Sequence, residues 1–527
     1  MRWRRGIELS RHARERRPLP VWAIFPIVFA ALYLSHFWLL ALPYYWDEAG
    51  YYIPAAWDFW RLGSLIPVST LTNAHPPGPS VVLELAWRLA GFSPLVTRTA
   101  VLVVAALGLT AVWQLALRLT GVRRVALWTT ILTALYPIWF SQSALAHADI
   151  FAACCALWGM VYALPAHGRR PVVAAVWFSL AALSKETAIV LPLALALVAA
   201  VESIPALKRP RRRLLAEAGW LASCIVPLAG WYTYHKSQTG FLFGNPEFLR
   251  YNAQANFLPG RFLAALFHRS LHLTAHMNLF VLMGMALAAA LLLKPRPEWD
   301  GGERARLGGP ALWRIGALLG ANLLFFSVLG GALLTRYLLP MYPLVILLAV
   351  TTLYRRAPGW QALTTVAGGA FVAALILNPP YRFAPEDNLA WTRMVRLHQA
   401  GAEELERRTP HATVLTAWPV SDELSRPELG YVTRPFAVTV VPDFTVDSMA
   451  QAARQPENYQ AALIFNTKYD PPHVALSAGH TSDEADQRYF GMHHDLLPES
   501  AAQALGGKLA WSSRDRGQWI GLVEFAR

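Results

Sequence analysis

Charge is what this 527-residue chain has least of. Only 15% of its residues are Asp, Glu, Lys or Arg, while 55% are hydrophobic. An ordinary soluble domain carries about 25% charged residues. The shortfall excludes a disordered or collagen-like polymer, whose chain stays in water. Cysteine is nearly absent. Cys154, Cys155 and Cys224 all fall within apolar runs, which excludes a disulfide scaffold and leaves three small core residues. Acidic residues are scarce in one part only. Residues 1–378 hold 33 Lys and Arg against 14 Asp and Glu, a net of +19, whereas residues 379–527 hold 14 and 19, a net of −5. The overall charge of +14 therefore belongs to the apolar part. That is the pattern of membrane topology and not of a nucleic-acid footprint.

What the chain has in abundance is the long apolar run. Seven Arg in the first 20 residues give way to Val21–Pro43. That run is longer than the apolar core of a signal peptide and reads as a retained transmembrane helix. Ten more follow, at 95–117, 125–141, 150–166, 171–183, 188–203, 214–234, 277–293, 311–334, 338–354 and 359–378. With a cytoplasmic N-terminus and alternating loops, one side holds 24 Lys and Arg and the other nine. This is the positive-inside bias. It predicts a multi-pass protein of the cytoplasmic (inner) membrane with residues 379–527 outside. Residues 171–203 are interrupted by Ser184-Lys185-Glu186-Thr187. A helical hairpin there keeps Arg169, Arg170 and the Lys208–Arg213 cluster on one side. Arms of about 13–16 residues reach roughly 20–24 Å, short of a bilayer core of about 30 Å. The Lys-Glu tip then lies below the outer surface, where ionisable groups mark functional sites.

The expected fold is a polytopic α-helical membrane protein with about eleven transmembrane helices in residues 1–378. Outer loops at 44–94 and 235–276 each carry an amphipathic stretch suited to the membrane interface. A small extracytoplasmic α/β domain, 379–527, completes the chain. Within it 412–416, 437–441 and 462–465 read as short buried strands, and Leu509–Phe525 as a closing hairpin.

Few residues in the apolar part carry chemistry. Asp47-Glu48 follows the first helix among Tyr44, Tyr45, Trp46, Tyr51 and Tyr52, an interfacial girdle in which a carboxylate can take a proton from a hydroxyl group. The bland reading is a solvated loop pair. His75-Pro76-Pro77 opens a rigid loop, with His75 a metal ligand beside Asp47 and Glu48, a substrate contact or a structural residue. A divalent metal near these three side chains is the one cofactor suggested. Asp149 fits the cap of the helix that begins at Ile150 as well as it fits a site. Lys185 and Arg336 are lone cations at the outer ends of apolar helices, snorkelling anchors or a pair that binds phosphate.

Trp46-Asp47-Glu48, His75-Pro76-Pro77, Leu183-Ser184-Lys185-Glu186 and Arg336-Tyr337 with Pro340 together resemble the glycosyltransferase-C superfamily, and within it the protein O-mannosyltransferases and lipid A aminoarabinose transferases. The resemblance covers mainly residues 40–205 and 330–345. It implies transfer of a sugar from a polyprenyl-phosphate carrier to an envelope lipid, glycan or protein at the outer face. Asp47 is then the general base and Glu48 positions the acceptor or a metal. Lys185 and Arg336 bind the donor phosphate, with His75, Asp149, Glu186 and Tyr337 as further substrate contacts. Two positions depart from the pattern. Gly78-Pro79-Ser80 follows His-Pro-Pro where an apolar residue and a nearby Lys are usual, and the hairpin tip reads Lys-Glu. A transporter or flippase for a lipid-linked sugar is the alternative. It calls for two related halves with broken helices and midplane polar residues, and no such internal symmetry is visible.

Overall fold

The computed structural model describes residues 21–526 apart from 74, 166–167, 206–207, 245–257, 299–302, 330–332, 468 and 470–486. The Arg-rich segment 1–20 and the middle of the second long loop thus lie outside the described residues. Each of the eleven apolar runs is largely helical. Helix Pro94–Thr120 shows how its limits are written in the chain. Ser93 Oγ accepts from Val96 N at 3.2 Å, Pro94 fills the first turn, and Gly121 ends the helix at a φ of 71°. The run at 125–141 is cut at Tyr136, which turns extended because Pro137 follows it. Five described helices are long and apolar enough to cross a membrane: Pro94–Thr120, Glu186–Ser203, Pro210–Thr239, Pro259–Leu292 and Gly309–Val328. This is the build of a multi-pass membrane protein.

The hairpin is present. Helix Pro171–Ser184 leads to Lys185, in extended conformation, and Val190–Ser203 returns. The open ends of the two arms meet at one face, where Arg169 Nη1 lies 3.9 Å from Glu202 Oε2. Arg314 binds the same cluster, 2.7 Å from Glu202 Oε2 and 2.5 Å from Glu217 Oε1. These acids neutralise the buried Arg314 and tie three helices at that end of the bundle. Lys185 and the first long loop lie at the other end.

Residues 414–524 contain a five-stranded sheet in the order β2-β1-β3-β5-β4. Its strands are β1 (Val414–Ala417), β2 (Val438–Val441), β3 (Ala461–Phe465), β4 (Lys508–Asp515) and β5 (Gln518–Glu524). The pairs β1–β2 and β1–β3 are parallel, while β3–β5 and β4–β5 are antiparallel. Strand β3 is buried at every position, as its unbroken apolar run predicts. The β4–β5 hairpin turns on Arg516 and Gly517, both at positive φ. This unit sits directly on the first long loop. Trp418 meets Trp46 edge-on with ring centroids 5.5 Å apart, and the Tyr431 hydroxyl donates to Tyr44 O at 2.9 Å.

Candidate active site

Three segments far apart in sequence converge on the Arg336 guanidinium. Arg336 stands in the short turn Thr335–Leu338, before helix Tyr342–Arg356. Its Nη2 donates to Asp47 Oδ2. Its Nε lies 3.3 Å from Asp149 Oδ2, and its Nη1 donates to Glu386 Oε2 at 2.9 Å. Nη1 also lies 3.0 Å from His147 Nδ1. Asp149 is shared with the hairpin tip, since Lys185 Nζ donates to its Oδ1 at 2.6 Å. Lys185 Nζ also rests 4.1 Å from the centre of the Tyr337 ring, a cation–π contact. Asp47, Asp149, Lys185, Arg336 and Tyr337 therefore form one constellation. Asp149, Lys185, Arg336 and Tyr337 line a narrow cleft together with Asn322, Phe326 and Pro340. Arg336 Nε and Asp149 Oδ2 are buried there without a hydrogen bond.

The other expected site residues lie apart from this cleft. Glu48 is fully buried and turned the other way. It accepts from Tyr45 N at 2.8 Å, from Ala146 N at 2.7 Å, and from both Arg98 Nη atoms at 3.3 Å. Burial pushes its carboxyl up, while Arg98 and the two backbone amides pull it back. Arg98 also donates to Leu42 O and Pro43 O at 3.2 and 2.6 Å, and to Ala144 O. A girdle of aromatic residues suggested two neighbouring carboxylates with joint chemistry. The turn after Trp46, at a φ of 44°, instead sends Asp47 and Glu48 to different partners. His75 and Glu186 pair with each other, Nδ1 to Oε2 at 2.7 Å, and join the first long loop to the hairpin tip. The His75 ring stacks on Tyr52 at 6.0 Å, and Tyr52 lies 5.9 Å from His147. Among the described residues, no group of three or more His, Cys, Asp or Glu side chains is arranged to hold a metal ion. Asp47, Glu48 and His75 thus do not converge as ligands, each facing a different partner.

Several participants carried no signal in the sequence. Glu386 follows the last apolar run in Pro385-Glu386-Asp387 and reads there as part of an acidic tail. Burial pushes its carboxyl up to about 8 against the pull of Arg336. Its neighbour Asp387 accepts from Thr335 Oγ1 and lies 2.9 Å from His276 Nε2. Arg269 is a buried cation whose Nη1 donates to Leu334 O at 2.6 Å. Its guanidinium carbon is 5.6 Å from the Tyr337 ring centre, and its Nε has no hydrogen-bond partner among the described residues. His147 could have been found, because it stands two residues before Asp149 on the same turn.

Fold and cleft together define a class. The chain resembles the glycosyltransferase-C superfamily, polytopic helical proteins with a polar constellation at one end of the bundle. More particularly, residues 74–231 match the sequence model of the dolichyl-phosphate-mannose-protein mannosyltransferase family. No curated protein sequence matches the chain significantly. Among solved structures, ArnT from Cupriavidus metallidurans in the apo state is 16% identical with a TM-score of 0.55, covering 95% of this chain and 98% of that one. The same protein bound to undecaprenyl phosphate gives 16% and 0.53, covering 94% and 98%. At this identity the likeness is one of fold.

Proposed function

We propose that the chain is an inverting membrane glycosyltransferase. It moves a sugar from a polyprenyl-phosphate donor to an envelope lipid, glycan or protein at the outer face of the cytoplasmic membrane. Eleven crossings, a cytoplasmic N-terminus and an outer domain at 379–527 accord with the loop charges. The observation that carries the reading is the convergence of Asp47, Asp149, Lys185 and Arg336 beside one cleft, which Asp149, Lys185 and Arg336 line. Likeness in fold to ArnT, solved with undecaprenyl phosphate, supports a lipid-phosphate ligand.

The chemistry follows from these groups. The acceptor hydroxyl oxygen attacks the anomeric carbon as the bond from that carbon to the phosphate oxygen breaks, and the hydroxyl proton passes to the Asp47 carboxylate. The carrier leaves as a phosphate monoester, whose growing charge Lys185 and Arg336 stabilise. No general acid is needed for such a leaving group. Attack opposite the phosphate inverts the anomeric centre. Tyr337 supports Lys185 from below, and Arg269, beyond that ring, is a further cation for the carrier phosphate. Asp149 holds both cations in place until the donor arrives.

The test incubates purified protein with radiolabelled undecaprenyl-phosphate sugars and envelope extract. Asp47→Asn is expected to lower turnover by about 10²- to 10⁴-fold while still binding undecaprenyl phosphate. Equal turnover by the variant removes Asp47 as base. Absence of carrier release from every donor in the panel removes the transferase reading.

A further inference from the structure

Arg336 carries three carboxylates, and the three are not equivalent. Asp149 lines the cleft, and Asp47 has a side chain 18% exposed. Glu386, like Asp47, is outside the cleft lining, with a side chain 5% exposed, and its turn also grips the residue before Arg336. A phosphate entering the cleft meets the guanidinium on the side of Asp149, at Nε, while the Glu386 contact is on Nη1. The segment that carries Glu386 is itself held. Asp387 grips Thr335, the residue before Arg336, and is braced by His276, whose Nδ1 lies 3.0 Å from the Tyr381 hydroxyl. The turn Pro385–Asp387 thus holds the Arg336 segment at two points, once by side chain and once through Thr335.

We infer that Glu386 is a positioning residue, the fixed anchor that keeps Arg336 aimed at the cleft when an incoming lipid phosphate draws it off Asp47 and Asp149. The inference rests on the donor-phosphate reading above. Asp47 is engaged by Arg336, so its carboxylate is released for base chemistry as the phosphate takes the guanidinium over. Glu386 makes this exchange possible because one nitrogen of Arg336 stays held throughout.

Charge alone predicts the opposite of anchoring. Removing a negative group near an anion site should tighten anion binding, whereas losing an anchor should weaken it. The probe is undecaprenyl phosphate, titrated against purified protein in lipid nanodiscs, with a thermal melt of each variant to establish folding. Glu386→Ala is expected to weaken binding about tenfold, the scale of one charge-assisted hydrogen bond. Glu386→Gln, which still reaches Nη1, should stay within about threefold of wild type. The double variant Glu386→Ala with Asp47→Asn should recover most of the loss, because the competitor for Arg336 is gone. Should the alanine variant fail to fold, Glu386→Asp carries the same expectations, since it keeps the charge and loses the reach. Tighter binding by Glu386→Ala, or no recovery in the double variant, overturns the anchor. If the wild type itself does not bind undecaprenyl phosphate, it is the donor reading that fails.

Discussion

Glu48→Gln separates a structural carboxylate from a catalytic one. Both Glu48 and Arg98 are fully buried, and the substitution leaves the guanidinium without its one anionic partner among the described residues. Removing one member of such a pair costs about 3–5 kcal/mol. The amide side chain adds a second fault. Glu48 accepts from Tyr45 N, Ala146 N and Arg98, all donors, so the glutamine NH₂ must face one of them. An unmet buried donor costs about 1–3 kcal/mol. Against this, Arg98 keeps three carbonyl acceptors and lies 5.2 Å from the Trp391 ring centre. The loss is therefore set near the lower end, at about 3 kcal/mol. The assay is thermal denaturation in a fixed detergent, alongside undecaprenyl phosphate binding per folded molecule. Glu48→Gln should melt well below wild type with binding nearly unchanged. Arg98→Met should do the same, and the double variant should lose less than the two single losses together. A Glu48→Gln protein that melts with the wild type but no longer binds or turns over refutes the argument and returns Glu48 to the substrate.

Two further outcomes test the surroundings of the cleft. Gly78→Ala places a methyl group 2.6 Å from Leu183 O and 3.0 Å from the Ser184 Cα, so the hairpin tip that carries Lys185 must move. Undecaprenyl phosphate affinity should fall several-fold, on the scale of about 1–3 kcal/mol for overpacking; Gly284→Ala, with open space around it, should be neutral. Equal affinity in Gly78→Ala denies that the tip is set by this contact. Burial pushes Asp422, in the sheet-bearing domain, up to about 6 despite Arg426 at 3.1 Å. An unfolded Asp ionises near 3.9, so the folded state binds the extra proton and loses relative stability as pH rises from about 4 to about 6. Asp422→Asn has no such loss, and its melting advantage over wild type should grow across that window and then level off. A constant difference from pH 4 to 7 contradicts the assignment.

Periodicity and charge were enough for the bundle because both are properties of single segments. Apolar length, the arginines at 169–170 and the break at Ser184–Thr187 each act locally, and the hairpin follows from them. The short strands were legible for the same reason. The cleft was half legible. Lys185 and Arg336 stood out because a lone cation in an apolar segment is costly unless a distant partner meets it. That cost announces a partner without naming it. Glu386 satisfies Arg336, yet it lies in a segment polar enough to need no explanation. Glu48 illustrates the reverse error. Adjacency in sequence made it look like the second half of an acidic pair, but a single residue at positive φ, Trp46, turns the two carboxylates to different neighbours. Its true partner, Arg98, lies 50 positions away. Gly78 shows what a departure from a family pattern can mean. The backbone of Leu183 and Ser184 lies too close to it for a side chain to fit without a shift. This departure is therefore coupled to the Lys-Glu tip, the other departure. Both belong to one contact between the first long loop and the hairpin, and a variant that exchanges either alone tests that contact before it tests the sugar.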